Sequence, residues 1–296
     1  VKDTAANIAK NLDLLAATPT LKQIIQTDIP KSIDITATQY KADLPVFDKF
    51  DYNYVLTVTG ASFVDADILQ KNLRVVSFQI SETIANISAN FDILDTKVDA
   101  WKNINKDAPI LLKDAGNIAI TAAQYTNNTK IEAKLPASTT YEITDIQTDS
   151  AGLQLSKNAN IRVINVADTV QAITTDLDQL NAASNIKSIA FTDSLPSALV
   201  ISYTQLGADT AALAKLPATY KLVVNDVPAK QISTVSANSH VVSMSVTDST
   251  ANLLSLINGD PKGIGGTIAD PKISTITIDE TKPSASGTTP TTPPVG

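Results

Sequence analysis

Cysteine is absent from this chain, which excludes disulfides, zinc–thiolate centres and thiol nucleophiles. Histidine occurs once, at His240, so a Ser-His-Asp triad would have to pass through that residue. Arginine stands only at Arg74 and Arg162, and 23 basic residues against 30 acidic ones leave a net charge of −7. Without concentrated cations to displace counterions, non-specific nucleic-acid binding is not expected. No apolar run reaches 18 residues, so no membrane span is expected. One methionine and one tryptophan, Trp101, are low for a cytosolic enzyme of 296 residues. A cysteine-free chain suits export in unfolded form or a variable redox environment. The start at Val1, without a visible signal peptide, points to a fragment or a processed product.

What is present is repetition. Asp168-Thr169-Val170-Gln171-Ala172-Ile173, followed by Asp176, Leu177, Asp178 and Leu180, has three counterparts. They are Asp3-Thr4-Ala5-Ala6-Asn7-Ile8, Glu82-Thr83-Ile84-Ala85-Asn86-Ile87 and Asp248-Ser249-Thr250-Ala251-Asn252-Leu253. Starts at 3, 82, 168 and 248 give steps of 79, 86 and 80 residues, a period that decides the fold class before any single residue does. A second motif, Ile35-Thr36-Ala37-Thr38-Gln39-Tyr40, returns as Ile120-Thr121-Ala122-Ala123-Gln124-Tyr125 and less faithfully from Ile201 to Leu206.

Local patterning assigns elements within each unit. Residues 1–16 predict a helix, with Asp3 or Thr4 capping its first turn and Ile8, Leu12 and Leu15 on one face. Ile33, Ile35 and Ala37 alternate with polar residues, a strand signal. Strands also follow near Tyr54, Tyr141 and Tyr220, and again after Asn72, Asn158 and Asn238. Those asparagines are expected to close short helices in the left-handed conformation. Leu195-Pro196 marks a turn, which could bring in a local hairpin. Strands joined by helices lie parallel.

These signs predict an α/β fold: a repeat, solenoid-like array of short strands and helices, with mostly parallel sheet and units of about 80 residues. Unit 1 covers 1–81, unit 2 covers 82–167, unit 3 covers 168–247, and a partial unit 4 covers 248–281. Residues 282–296 read as a Pro/Thr-rich linker or tail, with a further segment expected beyond it or the tail left free. The alternative is compact domains in tandem. The array is favoured because the units abut without a spacer, as at Val166-Ala167-Asp168.

No catalytic constellation emerges. Asp65 and Asp67, and Asp260 and Asp270 around the Gly259–Gly266 stretch, are calcium candidates by residue type. Neither pair reaches the six to eight oxygens calcium takes, and a solvated loop is the plainer reading. Gly263-Ile264-Gly265-Gly266 lacks the following Lys-Ser/Thr of a phosphate loop. His240 reads as a surface or helix-end histidine. Tyr40, Tyr54, Tyr125, Tyr141 and Tyr220 recur at matching places and read as packing. A carboxylate-pair glycosidase is the third-ranked class, with no convergent pair in view.

The run Asp-Thr-Ala-Ala-Asn-Ile-x-x-Asn-Leu-Asp-x-Leu, then Ile-Thr-Ala-x-Gln and Tyr-x-Leu-x-Val-Thr-Gly, resembles the repeats of very long bacterial surface and secreted proteins. These are adhesin-like or S-layer-like proteins, often exported by type I secretion. The resemblance covers nearly all of residues 1–280, although this chain lacks the calcium-binding nonapeptides common in such proteins. It implies an extracellular location, on a bacterial surface or secreted, and a structural role in adhesion, biofilm matrix or a surface coat. The reading is therefore a non-enzymatic stalk, filament subunit or surface layer that self-associates end to end or with other surface proteins. The alternative is an adhesin module whose exposed sheet face reads a glycan or a host protein. No cofactor is expected, calcium excepted.

Overall fold

The structure is a computed structural model that describes residues 1–51, 53–107, 109–194, 197–257 and 270–283. It is α/β, with short strands and short helices alternating along the chain. The described strands are β1 (Lys2–Asp3), β2 (Ile25–Gln26), β3 (Ile33–Thr36), β4 (Leu56–Ala61), β5 (Val75–Glu82), β6 (Ile110–Leu112) and β7 (Asn117–Ile120). They continue with β8 (Thr140–Ile146), β9 (Ile161–Asp168), β10 (Ile186–Phe191), β11 (Leu199–Ser202), β12 (Leu222–Val227), β13 (Val241–Asp248) and β14 (Ile273–Ile278). The chain divides into two compact units, residues 1–144 with 159–163, and residues 145–158 with 164 onward.

The first unit holds the β1–β2 pair, a sheet in the order β3-β4-β5-β6, and the β7–β8 ladder. The second holds the β9–β10 ladder and a sheet in the order β11-β12-β13-β14. Each of these ladders is parallel, as helical crossovers require. The turn expected at Leu195-Pro196 lies outside the described residues.

The fourth strands join the sequence repeats. β6 belongs to the second repeat but pairs with β5 of the first, Ile80 opposite Ile110 and Glu82 opposite Leu112. β10 of the third repeat pairs with β9 of the second, Val166 opposite Ile189 and Asp168 opposite Phe191. β14 pairs with β13 in the same register, Val246 opposite Ile276 and Asp248 opposite Ile278. A repeat of about 80 residues is therefore not a closed domain, since its sheet takes a strand from the next repeat.

Alternation explains the cores. β3 buries Ile33 and Ile35, β5 buries Phe78 and Ile80, and β13 buries Met244 and Val246; one extra residue at the first register break returns Val75 and Val241 to the same buried face. Ile8, Leu12, Ile87, Phe91, Leu94, Ile173, Leu177 and Leu180 are the buried side chains of the helices, Ile8 on the helix that packs on β3, Ile87 on the one that packs on β7 and Ile173 on the one that packs on β11. The predicted single helix over 1–16 is instead β1 followed by helices Ala5–Lys10 and Leu12–Ala16, broken at Asn11. β4 and β12 each have two register breaks at matching places, and the second of them holds a left-handed residue. Gly60 fills it in β4 at φ +71, and Asp226 in β12 at φ 60; glycine and aspartate are among the residues that tolerate this region best.

Candidate functional site

The repeated acid–hydroxyl motif is a junction, and its two residues work on different helices. The hydroxyl caps its own helix: Asn7 N–H donates to Thr4 Oγ1 at 3.4 Å, Asn86 N–H to Thr83 Oγ1 at 3.2 Å and Ala172 N–H to Thr169 Oγ1 at 3.2 Å. The acid reaches back about twenty residues. Glu82 Oε1 accepts from Phe63 N–H at 3.1 Å, Asp168 Oδ2 from Thr148 N–H at 2.8 Å, and Asp248 Oδ2 from Ala229 N–H at 2.9 Å. Phe63 opens the helix Phe63–Leu69, and Ala229 opens a short 3₁₀ turn. Glu82 and Asp248 thus satisfy an orphan donor at the start of the preceding helical element, while Asp168 holds the turn just before the helix Ser150–Leu155.

A second carboxylate, invisible in the motif, completes each junction. The first N–H of the opening helix donates to Asp28 from Ala5 (2.8 Å), to Asp114 from Ile84 (2.7 Å), to Asp193 from Val170 (2.6 Å) and to Glu280 from Thr250 (3.3 Å). These acids stand just after β2, β6, β10 and β14, so the parallel register delivers each one to a helix 23 or 30 residues earlier. Negative charge at a helix N-terminus is favourable. The second motif is a capping box at Thr36–Gln39, Thr121–Gln124 and Ser202–Gln205, where the glutamine side chain returns to the cap N–H.

The asparagines at helix ends act differently from expectation. Among the described residues only Asp226 has positive φ outside glycine, so Asn72, Asn158 and Asn238 are not left-handed. Their side chains close the turn instead: Asn72 Oδ1 accepts from Arg74 N–H and Asn238 Oδ1 from His240 N–H, both at 2.9 Å. A local side-chain acceptor replaces the backbone strain of a left-handed cap.

The candidate calcium residues are brought to separate partners. Asp65 faces Lys41, Nζ to Oδ1 at 3.1 Å, and caps its helix through Ser62. Burial works to raise its carboxyl, but the Ser62 N–H and hydroxyl together with Lys41 outweigh it and hold the group below the usual carboxylate range. Asp67 binds Lys97 at 2.6 Å and the Trp101 indole N–H at 2.9 Å, and these bonds lower it. Asp270 accepts from Lys272 N–H at 2.9 Å and is lowered first by Ser236. Asp260 lies outside the described residues, as does the Gly263–Gly266 stretch. Among the described residues no group of three or more acidic or histidine side chains is placed to hold a metal.

His240 stacks on Tyr220 with ring centroids 3.8 Å apart, its Nδ1 3.0 Å from Tyr220 O. Arg74 occupies the corresponding place over Tyr54, at 5.1 Å. Tyr40 and Tyr54 are buried and join Phe47 and Phe50 in a ring cluster. Tyr141 does not match Tyr54: opposite Ile118 in its ladder, it takes the place that Leu56 takes opposite Ile33. Its ring meets Tyr125 edge-on at 5.1 Å.

Two grooves lie between corresponding pairs of helices. One, about 450 Å³, is lined by Val64, Asp67, Asn86, Asn90, Ile93 and Lys97. The other, about 410 Å³, is lined by Gln154, Lys157, Gln179, Ala182 and Asn185. No protein-family model, curated protein or solved structure matches this chain. Among the described residues no helix is long and apolar enough to cross a membrane.

Proposed function

We propose that this chain is part of a non-enzymatic extracellular structural protein, a continuous solenoid-like repeat array serving as a stalk, filament subunit or surface layer in adhesion or biofilm matrix. The observation that carries the reading is the shared fourth strand. β6, β10 and β14 each enter the sheet of the preceding repeat in one register, which suits an array extended by addition of repeats better than beads on a string. The acidic side chains of the junctions support it too, being engaged in capping main-chain N–H groups. Self-association has a candidate face in β14. Ile276 is 40% exposed, whereas its counterparts Ile24, Ile110 and Ile189 are at most 2% exposed. An exposed strand with apolar side chains invites pairing with another chain. Static light scattering over rising concentration, with and without calcium, followed by negative-stain microscopy, tests this. Ordered assemblies are expected, and a strictly monomeric protein under all conditions overturns the assembly part of the reading.

The second reading is a glycan- or protein-binding adhesin module. The paired grooves, with Asn86, Asn90, Gln154 and Gln179 at their walls, favour it. Binding on a glycan array that Asn90→Ala abolishes would place it first.

A further inference from the structure

One polar contact recurs in every complete repeat, and it is built in two chemically different ways. In the second repeat Asp92, on the helix Phe91–Lys97, accepts two neutral donors. Asn128 Nδ2 reaches Oδ1 at 2.5 Å and Gln124 Nε2 reaches Oδ2 at 3.1 Å. In the third repeat Asp178, on the helix Leu177–Ala182, again accepts from glutamine, Gln205 Nε2 at 2.9 Å. Where Asn128 stood there is now Asp209, which follows the helix Tyr203–Ala208 as Asn128 follows Ala122–Asn127. In the first repeat the corresponding pair is Asp13 and Asp43.

Asp43 and Asp209 are 6% and 3% exposed, and the Oδ2 atom of each is buried with no donor directed at it. A buried carboxylate oxygen without a donor is costly. A protonated carboxyl in the same place becomes a donor, and an acceptor stands beside it: Asp13 is the neighbour of Asp43, and Asp178 of Asp209. The proton then does what the amide hydrogen of Asn128 does in the second repeat. Around Asp209 the helices Tyr203–Ala208 and Thr210–Leu213 carry no charge, and Leu177–Ala182 brings Asp178. Around Asp43 the segments bring Asp13, Lys41, Asp48 and Lys49, of which Lys41 is turned to Asp65.

We propose that Asp13–Asp43 and Asp178–Asp209 are proton-dependent latches between the helices of the first and third repeats, closed in mild acid and weakened at neutral pH, while Asp92–Asn128 is the same contact built with an amide hydrogen in place of the proton. Burial followed by the neighbouring aspartate raises the Asp43 carboxyl and raises that of Asp209 to about 6. An unfolded aspartate titrates near 3.9. The folded protein therefore holds these protons where the unfolded chain releases them. Stability from the Asp209 latch is fully present below about pH 4 and is lost as pH rises through about 6, and the Asp43 latch runs in the same direction. Glu132 is also raised by burial and Asp95, so the wild-type slope alone does not identify the source.

Isosteric exchange identifies it. The thermal midpoint of the wild-type chain should fall by about 5 °C between pH 4.5 and 7.5. D43N/D209N should lose most of that fall and unfold at a higher temperature than wild type at pH 7.5. N128D should do the reverse, steepening the fall. Carboxyl ¹³C titration of the wild-type protein, which needs no variant to fold, should place the Asp209 midpoint above 5. An Asp209 midpoint near 4, or an unchanged slope in both D43N/D209N and N128D, overturns the latch.

Discussion

The sheets β3-β4-β5-β6 and β11-β12-β13-β14 share strand order, register and the site of their left-handed bulge. Their last strands differ. Ile110 in β6 is 1% exposed and Ile276 in β14 is 40% exposed, although both sit opposite the same position of the third strand. Ladder formation and burial are therefore separable. Hydrogen bonding to β13 is enough to set β14 in register, but burial needs a neighbour. For Ile24 that neighbour is the chain at Lys49–Asp51: Ile24 N–H donates to Lys49 O at 2.8 Å and Asp51 N–H donates to Ile24 O at 3.1 Å. Ile189 has its equivalent in Lys215 O at 2.9 Å.

The sharpest way to break this comparison is to truncate both positions. Ile110→Ala should lower stability by about 3 kcal/mol, as for a fully buried aliphatic side chain, and Ile276→Ala by well under about 1 kcal/mol. Equal losses in denaturant titration would show that β14 is covered in solution. Next come the junction acids. Asp248, 4% exposed, serves the N–H groups of Ala229 and Ser249 and the Asn252 amide. Asp248→Ala should cost about 2 kcal/mol, and the less buried Asp168→Ala about 1 kcal/mol. Unchanged unfolding in both variants would show that these contacts do not hold the junction together. The bulges give a smaller contrast. Gly60→Ala should cost about 1 kcal/mol through its positive φ, while Asp226→Gly should change stability by only a few tenths.

The smallest effect concerns acid. Asp65 and Asp67 are held below the usual carboxylate range, so their contribution is present above about pH 4 and lost as pH falls through their folded values. Asp67 is 44% exposed, so solvent screening limits Asp67→Asn to less than about 1 kcal/mol at neutral pH. Asp209 runs the opposite way. Together they predict maximal stability near pH 4–5, and a maximum near pH 8 in thermal scans would contradict the balance.

Legibility in the sequence followed distance along the chain. Thr4, Thr83 and Thr169 cap helices three residues on, and the period-2 pattern of Ile33 and Ile35 marks a strand; both are local and readable. Asp28, Asp114, Asp193 and Glu280 were not readable as helix caps, because each acts on an N–H 23 or 30 residues earlier. Their common place just past β2, β6, β10 and β14 was the available signal. Tyr141 was misaligned for a related reason: a tyrosine in every repeat suggests one position, but the ladder puts it two residues later than Tyr54. Asp65 and Asp67 looked like a pair because a single residue separates them along the chain; on a helix they point to different partners, Lys41 and Lys97.

The sequence by itself determined the α/β class, the approximate strand positions, the starts of the opening helices and the recurrence near 80 residues, because capping and alternation are short-range effects. Only the tertiary structure decided that β6, β10 and β14 pair with the strand closing the preceding sequence repeat, that Glu82 and Asp248 cap the preceding element, and that Asp43 and Asp209 lose their solvent. Those outcomes depend on which segments the parallel register brings side by side, and no window of neighbouring residues contains that information.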